Sequence, residues 1–222
     1  MTISLRQLYE QHQGKISDKW TGYLSRYETL FAAYRDLPVN LLEIGVQNGG
    51  SVEIWAKYFT KAERIVGVDI NARCGGLTFD DARIQVIVSD ATSSEAQNIV
   101  VGNFDIIIDD GSHYDIDIVK GFASWFKRLK VGGLYIIEDM HCCQRFAPIN
   151  GICHFTEIAK ELTHNRQVVP EGVYSVEFLN SLIIVRKQPS EECGLGTRFI
   201  AGQTEDVYAP VGGHKSLHGS TI

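Results

Sequence analysis

The chain has 222 residues, 44% hydrophobic and 22% charged, with a formal net charge of −6. Those proportions describe a globule with one full core, and the acidic balance argues against a nucleic-acid backbone as the main partner. No apolar run approaches the roughly 20 residues that a bilayer requires, and the opening MTISLRQLYEQHQ has no secretory pattern. Five cysteines without C-x-x-C spacing indicate neither a zinc site nor a disulfide framework. The expectation is a cytoplasmic, reduced protein with no membrane partner.

Residues 4–13 and about 20–35 predict two helices. Leu5, Leu8 and Tyr9 share one face, as do Tyr23, Leu24, Tyr27, Leu30, Phe31 and Tyr34 on the other. Ser17 or Asp18 is placed to cap the second helix. Two roles are open for this prefix: packing against a sheet edge, or a lid over an active edge. Trp20 and Tyr23 are read first as core aromatics, with stacking on a sugar the alternative.

Val39–Ile44 predicts a buried strand that runs into Gly45-Val46-Gln47-Asn48-Gly49-Gly50-Ser51 and a helix over Val52–Phe59. A glycine-rich turn between strand and helix lets a ligand approach the backbone and meet the helix N-terminus. Ile65–Val68 predicts the second strand, and Asp69 at its end is placed to accept hydrogen bonds from ribose hydroxyls. A polar excursion over Cys74–Asp81 leads to a third strand, Ile84–Val88, then Asp90, and a short helix over Thr92–Val100.

Phe104–Ile108 and Leu134–Ile137 are apolar runs that each end in carboxylates, Asp109–Asp110 and Glu138–Asp139. Between them lies a helix-length segment, Tyr114–Leu129, closed by a turn at Lys130–Val131–Gly132–Gly133. A right-handed crossover makes the two strands parallel, so their carboxyl ends share one edge. If the strands are neighbours, four acids and His113 converge. At about 5 Å and an effective dielectric near 20, each like-charge pair costs about 3 kcal/mol. Something positive belongs among them, and a divalent cation is the simplest candidate. Further on, Gly151–Asn165 predicts a helix, Val173–Phe178 and Leu182–Arg186 an antiparallel hairpin, and the sequence from Pro189 an irregular tail. The fold class is α/β: a Rossmann-like doubly wound sheet, mostly parallel, with N-terminal helices added. The expected divisions are a helical extension or lid over 1–38, a core over 39–188 and a tail over 189–222.

The strings SDKW (17–20), LLEIGVQNGGSVEIW (41–55), IVGVDIN (65–71), IIDDGSH (107–113) and GGLYIIEDMH (132–141) together resemble class I S-adenosylmethionine-dependent methyltransferases. The resemblance is to the metal-dependent sugar O-methyltransferases of the macrocin and mycinamicin type, in a fold group that also holds the cephalosporin hydroxylase proteins. It implies that Gly45, Gly49 and Ser51 contact the methionine end of S-adenosylmethionine, with Glu43 beneath the loop. It implies that Asp69 holds the ribose, and that Asp90 lies near the adenine. Asp110, Glu138 and Asp139 match the positions that ligate Mg²⁺, and His113 matches the general base. Asp109 is expected to face the cofactor, because adjacent residues on an extended segment point opposite ways. His141 is read as a plain loop histidine.

The chemistry asks for the same residues. A sugar hydroxyl is a poor nucleophile, so its proton must leave as the methyl group arrives. An all-oxygen carboxylate site suits Mg²⁺ or Mn²⁺, which would orient an acceptor diol and acidify it. A histidine with a reference pKa near 6.5 can take the proton. The expected substrate is a small-molecule glycoside, and a homo-oligomer is left open. Two other functions stay open beside it: a cephalosporin-hydroxylase-like enzyme, and a non-catalytic cofactor- or glycan-binding protein. A nicotinamide dehydrogenase fits less well, because EIGVQNGG lacks the G-x-G-x-x-G register.

Overall fold

The computed structural model describes residues 3–142 and 172–188; the helix expected over 151–165 and the tail from 189 lie outside them. The described strands are β1 (Asn40–Ile44), β2 (Arg64–Asp69), β3 (Ile84–Val88), β4 (Phe104–Asp109), β5 (Leu129–Ile137), β6 (Val173–Leu179) and β7 (Leu182–Lys187). They form a sheet in the order β3-β2-β1-β4-β5-β7-β6. The first five are parallel, while β7 runs antiparallel to β5 and β6. Strand order reverses between β1 and β4, the point at which a doubly wound sheet opens a crevice at its carboxyl edge.

Alternation along the strands sorts their side chains onto two faces. Leu41, Ile106, Ile108, Leu134 and Ile136 share one buried cluster with α1 (Leu5–Glu10), α2 (Thr21–Phe31) and α3 (Gly50–Tyr58). Leu42, Ile44, Ile107, Tyr135 and Ile137 share the other with α4 (Ser94–Ile99) and α5 (Asp115–Trp125). Both faces are covered, which is why these strands read as continuous apolar runs rather than alternating ones. The N-terminal helices therefore pack on a face of the sheet, not along its edge. Tyr27, Phe31, Trp55 and Tyr58 interlock there at ring-centroid separations of 4.8–6.2 Å.

Local signals explain the boundaries. Ser4 caps α1 through a reciprocal box with Gln7, two orphan donors satisfied at once. The cap position of α2 is Trp20, whose side chain makes no capping hydrogen bond, so neither Ser17 nor Asp18 caps it. Both lie instead in a segment that crosses the glycine turn, where the Gly50 amide donates to the Ile16 carbonyl at 3.2 Å. The helix expected to reach Leu129 ends at Trp125 and tightens into a 3-10 turn, Phe126–Arg128. The stretch 130–133 is not a free turn. It lies within β5, where pairing with β4 shifts register and Gly132 takes φ +73°. A Cβ at Gly133 would lie 2.8 Å from the Asp105 carbonyl oxygen, so glycine permits the close approach.

Candidate active site

The same alternation divides the acids. Glu43, Asp110 and Glu138 fall in register with the face that carries α1 to α3, and Asp109 falls on the α5 face. Glu43 and Glu138 are buried, as is Asp109. Among the first set lies the Lys19 ammonium, only 2% exposed. It donates to Asp110 Oδ2, donates to Glu138 Oε1 at 2.6 Å, and stands 3.8 Å from Glu43 Oε1. Burial pulls Lys19 toward its neutral form, but Glu138, Asp110 and Glu43 outweigh it and hold its pKa well above the ordinary range. The positive group that the converging acids demand is thus supplied first by the chain itself.

The N-terminal segment anchors one oxygen of each of Asp110, Glu138 and Asp139. Lys19 and the Tyr27 hydroxyl both donate to Glu138 Oε1. Trp20 Nε1 and the Tyr23 hydroxyl donate to Asp139 Oδ1 at 3.1 and 2.8 Å. Lys19 holds Asp110 Oδ2, while Asp110 Oδ1 faces His113 Nε2 at 3.9 Å. Ligand atoms of Asp110, His113 and Asp139 come within 4.8 Å of one another. Among the described residues, Asp110 and Asp139 are each held through one oxygen, as an oriented metal-ligand set needs. With His113 they form the cluster whose ligand atoms converge, while Glu138 stays buried behind them; the carboxylate oxygens suit a hard divalent ion. The residues fit such an ion. Burial pushes the Glu138 carboxyl up to about 8, with Lys19 pulling the other way.

The other half of the edge is built around Asp69. Its Oδ2 accepts the Val46 and Gln47 amides at 2.7 and 2.9 Å, and its Oδ1 accepts the Asn71 amide at 2.8 Å. Burial alone would raise its pKa, but these amides outweigh burial and leave it below the usual carboxylate range. Asp90 Oδ1 accepts both the amide and hydroxyl of Thr92 at 2.8 Å, while Ser93 caps α4. Ser51 donates to Glu43 Oε2 at 2.8 Å. The partner oxygen, Glu43 Oε1, forms no regular hydrogen bond among the described residues, nor does the Trp55 indole Nε1; burial pushes this carboxyl up to about 7, with Lys19, Ser51 and Trp55 pulling the other way. Asp109 accepts from the Tyr135 hydroxyl at 3.1 Å beneath α5, and burial raises its pKa to about 7.

A cavity of about 480 Å³ joins the two halves. Gly45, Ser51, Asp69, Asp90, Asp109, Asp110, His113 and Asp139 line it; Glu43, Gly49 and Glu138 do not. Gly49 packs toward the Phe79 ring and the Lys15 stem. Gln47, His113 and Asp139 take positive φ (51°, 58° and 54°), a conformation that costs non-glycine residues about 1–3 kcal/mol each and clusters at functional sites. His141 Nδ1 lies 2.8 Å from the Ser181 hydroxyl, and its ring meets Trp20 edge-on at 5.8 Å. Lys19, Tyr27 and Tyr135 escape a sequence reading, because nothing local in SDKW reveals a side chain reaching residues 91 and 119 positions away.

No family model matches the sequence. The chain is 36% identical over 136 residues to the 8-demethyl-8-alpha-L-rhamnosyl tetracenomycin-C 2'-O-methyltransferase of Streptomyces olivaceus, covering 56% of this chain and 35% of that protein. It is 36% identical over 128 residues to the mycinamicin VI 2''-O-methyltransferase of Micromonospora griseorubida, covering 53% of this chain and 31% of that one. The solved structure of MycE methyltransferase from the mycinamycin biosynthetic pathway, in complex with Mg, SAH and mycinamycin VI, superposes with a TM-score of 0.73. Sequence identity in that comparison is 27%, over 88% of this chain and 56% of the other. The chain thus spans about a third of the length of the curated relatives it matches.

Proposed function

For a chain with the class I methyltransferase fold, related to the sugar O-methyltransferases of macrolide and tetracenomycin biosynthesis, we propose transfer of a methyl group from S-adenosylmethionine to a sugar hydroxyl of a glycosylated natural product. The observation that carries this reading is one cavity shared by the Asp69-anchored glycine turn and the Asp110–His113–Asp139 cluster. The first half offers a nucleoside ligand a carboxylate and a close backbone; the second offers an alcohol a base among oxygen donors.

In this reading the cofactor lies along the turn, with Gly45 and Ser51 toward its methionine end, Asp69 toward its ribose and Asp90 toward its adenine. Asp110 and Asp139, with Glu138 as the third carboxylate, would hold a Mg²⁺ or Mn²⁺ ion. When bound, that ion supplies Lewis acidity that favours an acceptor alkoxide. His113 takes the proton from the acceptor hydroxyl as the methyl group passes from the sulfonium to the oxygen. Trp20 and Tyr23 hold Asp139 in place. Binding the two substrates side by side removes the entropy cost of their encounter.

The test is isothermal titration of chelator-treated protein with S-adenosylmethionine and then Mg²⁺, followed by methyl transfer to a panel of rhamnosides and other deoxysugar glycosides. Cofactor binding, a Mg²⁺ isotherm lost in Asp110→Ala, and methylation of a glycoside are the expected results. Absence of cofactor binding under every condition overturns the proposal.

A further inference from the structure

Lys19 has a role that a divalent ion in the same acidic pocket makes awkward. Its ammonium is almost wholly buried and engages Asp110 and Glu138, two of the three carboxylates proposed above as ligands. A charge so enclosed is poorly screened, so a second cation among the same oxygens must work against it. Lysine suits this place, since a compact ammonium with three donors can be shared among three carboxylates, whereas a guanidinium fork would demand one bidentate partner. Glu43, which is not among those ligands, has spare capacity: its Oε1 is buried, forms no regular hydrogen bond among the described residues and lies 3.8 Å from the ammonium. Beyond the Ser51 hydroxyl on Oε2, only the likewise unmatched Trp55 indole acts as a donor on its carboxylate. A buried acceptor left unmatched is costly, and a short swing of the Lys19 side chain would satisfy it.

We propose that Lys19 is a resident counter-cation of the metal site: it holds Asp110 and Glu138 together while the site is empty, yields them to a divalent ion, and then turns to Glu43. The inference rests on the metal half of the proposed function. It predicts that Lys19 weakens divalent-ion binding while making the fold independent of the ion. A residue that only oriented the ligands would do the reverse, because its loss would weaken binding.

The experiment is calorimetric titration of Mg²⁺ into chelator-treated wild type, Lys19→Met and Lys19→Gln, with melting curves in chelator and in excess Mg²⁺. The neutral variants should bind Mg²⁺ at least about tenfold more tightly than wild type. Chelation should barely move the wild-type melting temperature and should lower that of the variants, with Mg²⁺ restoring it. Glu43→Gln should weaken Mg²⁺ binding more in the presence of Lys19 than in the Lys19→Met background, a coupling that a double-mutant cycle reads directly. Equal or weaker binding in both neutral variants overturns the inference while leaving the metal site intact. No isotherm in any protein overturns the metal site as well. The wild-type melts carry the test even if a variant fails to fold, since loss of the wild-type fold on chelation also overturns it.

Discussion

Replacing Gly45 by alanine should damage the protein more than the loss of one hydrogen atom suggests. Gly45 takes φ +89°, and a Cβ there would stand 2.1 Å from the Asp110 carbonyl oxygen and 2.7 Å from its carbon. The left-handed conformation costs an alanine about 1–2 kcal/mol. Relieving the clash requires the two strand-end loops to part by roughly 1 Å, an overpacking cost of about 1–3 kcal/mol. The sum is about 2–5 kcal/mol, which at about 2–4 °C per kcal/mol for a chain of this size lowers the melting temperature by roughly 4–20 °C. Gly49→Ala is the control. Its φ is +87°, but its Cβ would meet only the Phe79 ring at 3.0 Å and the Lys15 stem at 3.2 Å, side chains that can yield. It should lose only the dihedral contribution, about 1–2 kcal/mol. Urea denaturation of the three proteins measures both. Because the clash moves Asp110, Gly45→Ala should also weaken Mg²⁺ binding more than Gly49→Ala does. A Gly45→Ala protein within about 1 kcal/mol of wild type would refute the claim that the two loops are held in contact through this glycine.

Three further outcomes are expected. His113→Ala should reduce methyl transfer by about 10²–10⁴-fold while leaving S-adenosylmethionine affinity within a few-fold of wild type; a parallel loss of cofactor affinity would make His113 a structural residue. Trp20 is 60% exposed while Trp55 and Trp125 are fully buried, so acrylamide should quench only the Trp20 emission, and a bound glycoside acceptor should protect it. Unchanged quenching in Trp20→Leu, or no protection by a glycoside that is methylated, would refute stacking of Trp20 on the acceptor sugar. The Arg83 guanidinium holds the Asp81 carboxyl below the usual range. That stabilisation is complete above the unfolded-chain value near 3.9 and is lost as pH falls through the lower folded value. Asp81→Asn should therefore cost under about 1 kcal/mol at pH 7, since the pair is partly exposed. The gap to wild type should close as acid protonates the folded carboxylate; a gap that widens toward acid would contradict the assignment.

What could be read from the chain follows from the range over which each signal acts. Strand existence follows from short apolar runs bounded by turn residues and acids, the parallel order of β4 and β5 from the helix-length crossover between them, and the opposite orientation of Asp109 and Asp110 from period-2 alternation; each signal lies within one short stretch of chain. The demand for positive charge was also legible, because it follows from acids at adjacent strand ends. Its supplier was not. Lys19 stands 91 residues from Asp110, and no local pattern distinguishes a buried lysine from a surface one. The cap at α2 was misplaced for a related reason: Ser17 and Asp18 carry the capping side chains, but tertiary packing draws their backbone across the glycine turn. The turn placed at 130–133 failed because Gly-Gly signals close backbone approach as readily as reversal, and Asp105 provides that approach inside β5.

The thread from Lys19 to Glu138 also has a consequence for the order of events during synthesis. Asp69 follows the Val46 amide it accepts by only 23 residues, so the glycine-turn half of the edge can close soon after β2 leaves the ribosome. Lys19 meets Asp110 only 91 residues later and Glu138 119 residues later, the second about 6–24 s at ordinary elongation rates. Through that interval the N-terminal segment has no acid to dock against at β5. The two halves of the cavity are therefore delivered in sequence, the glycine-turn half first and the acidic half only once the fifth strand has been made.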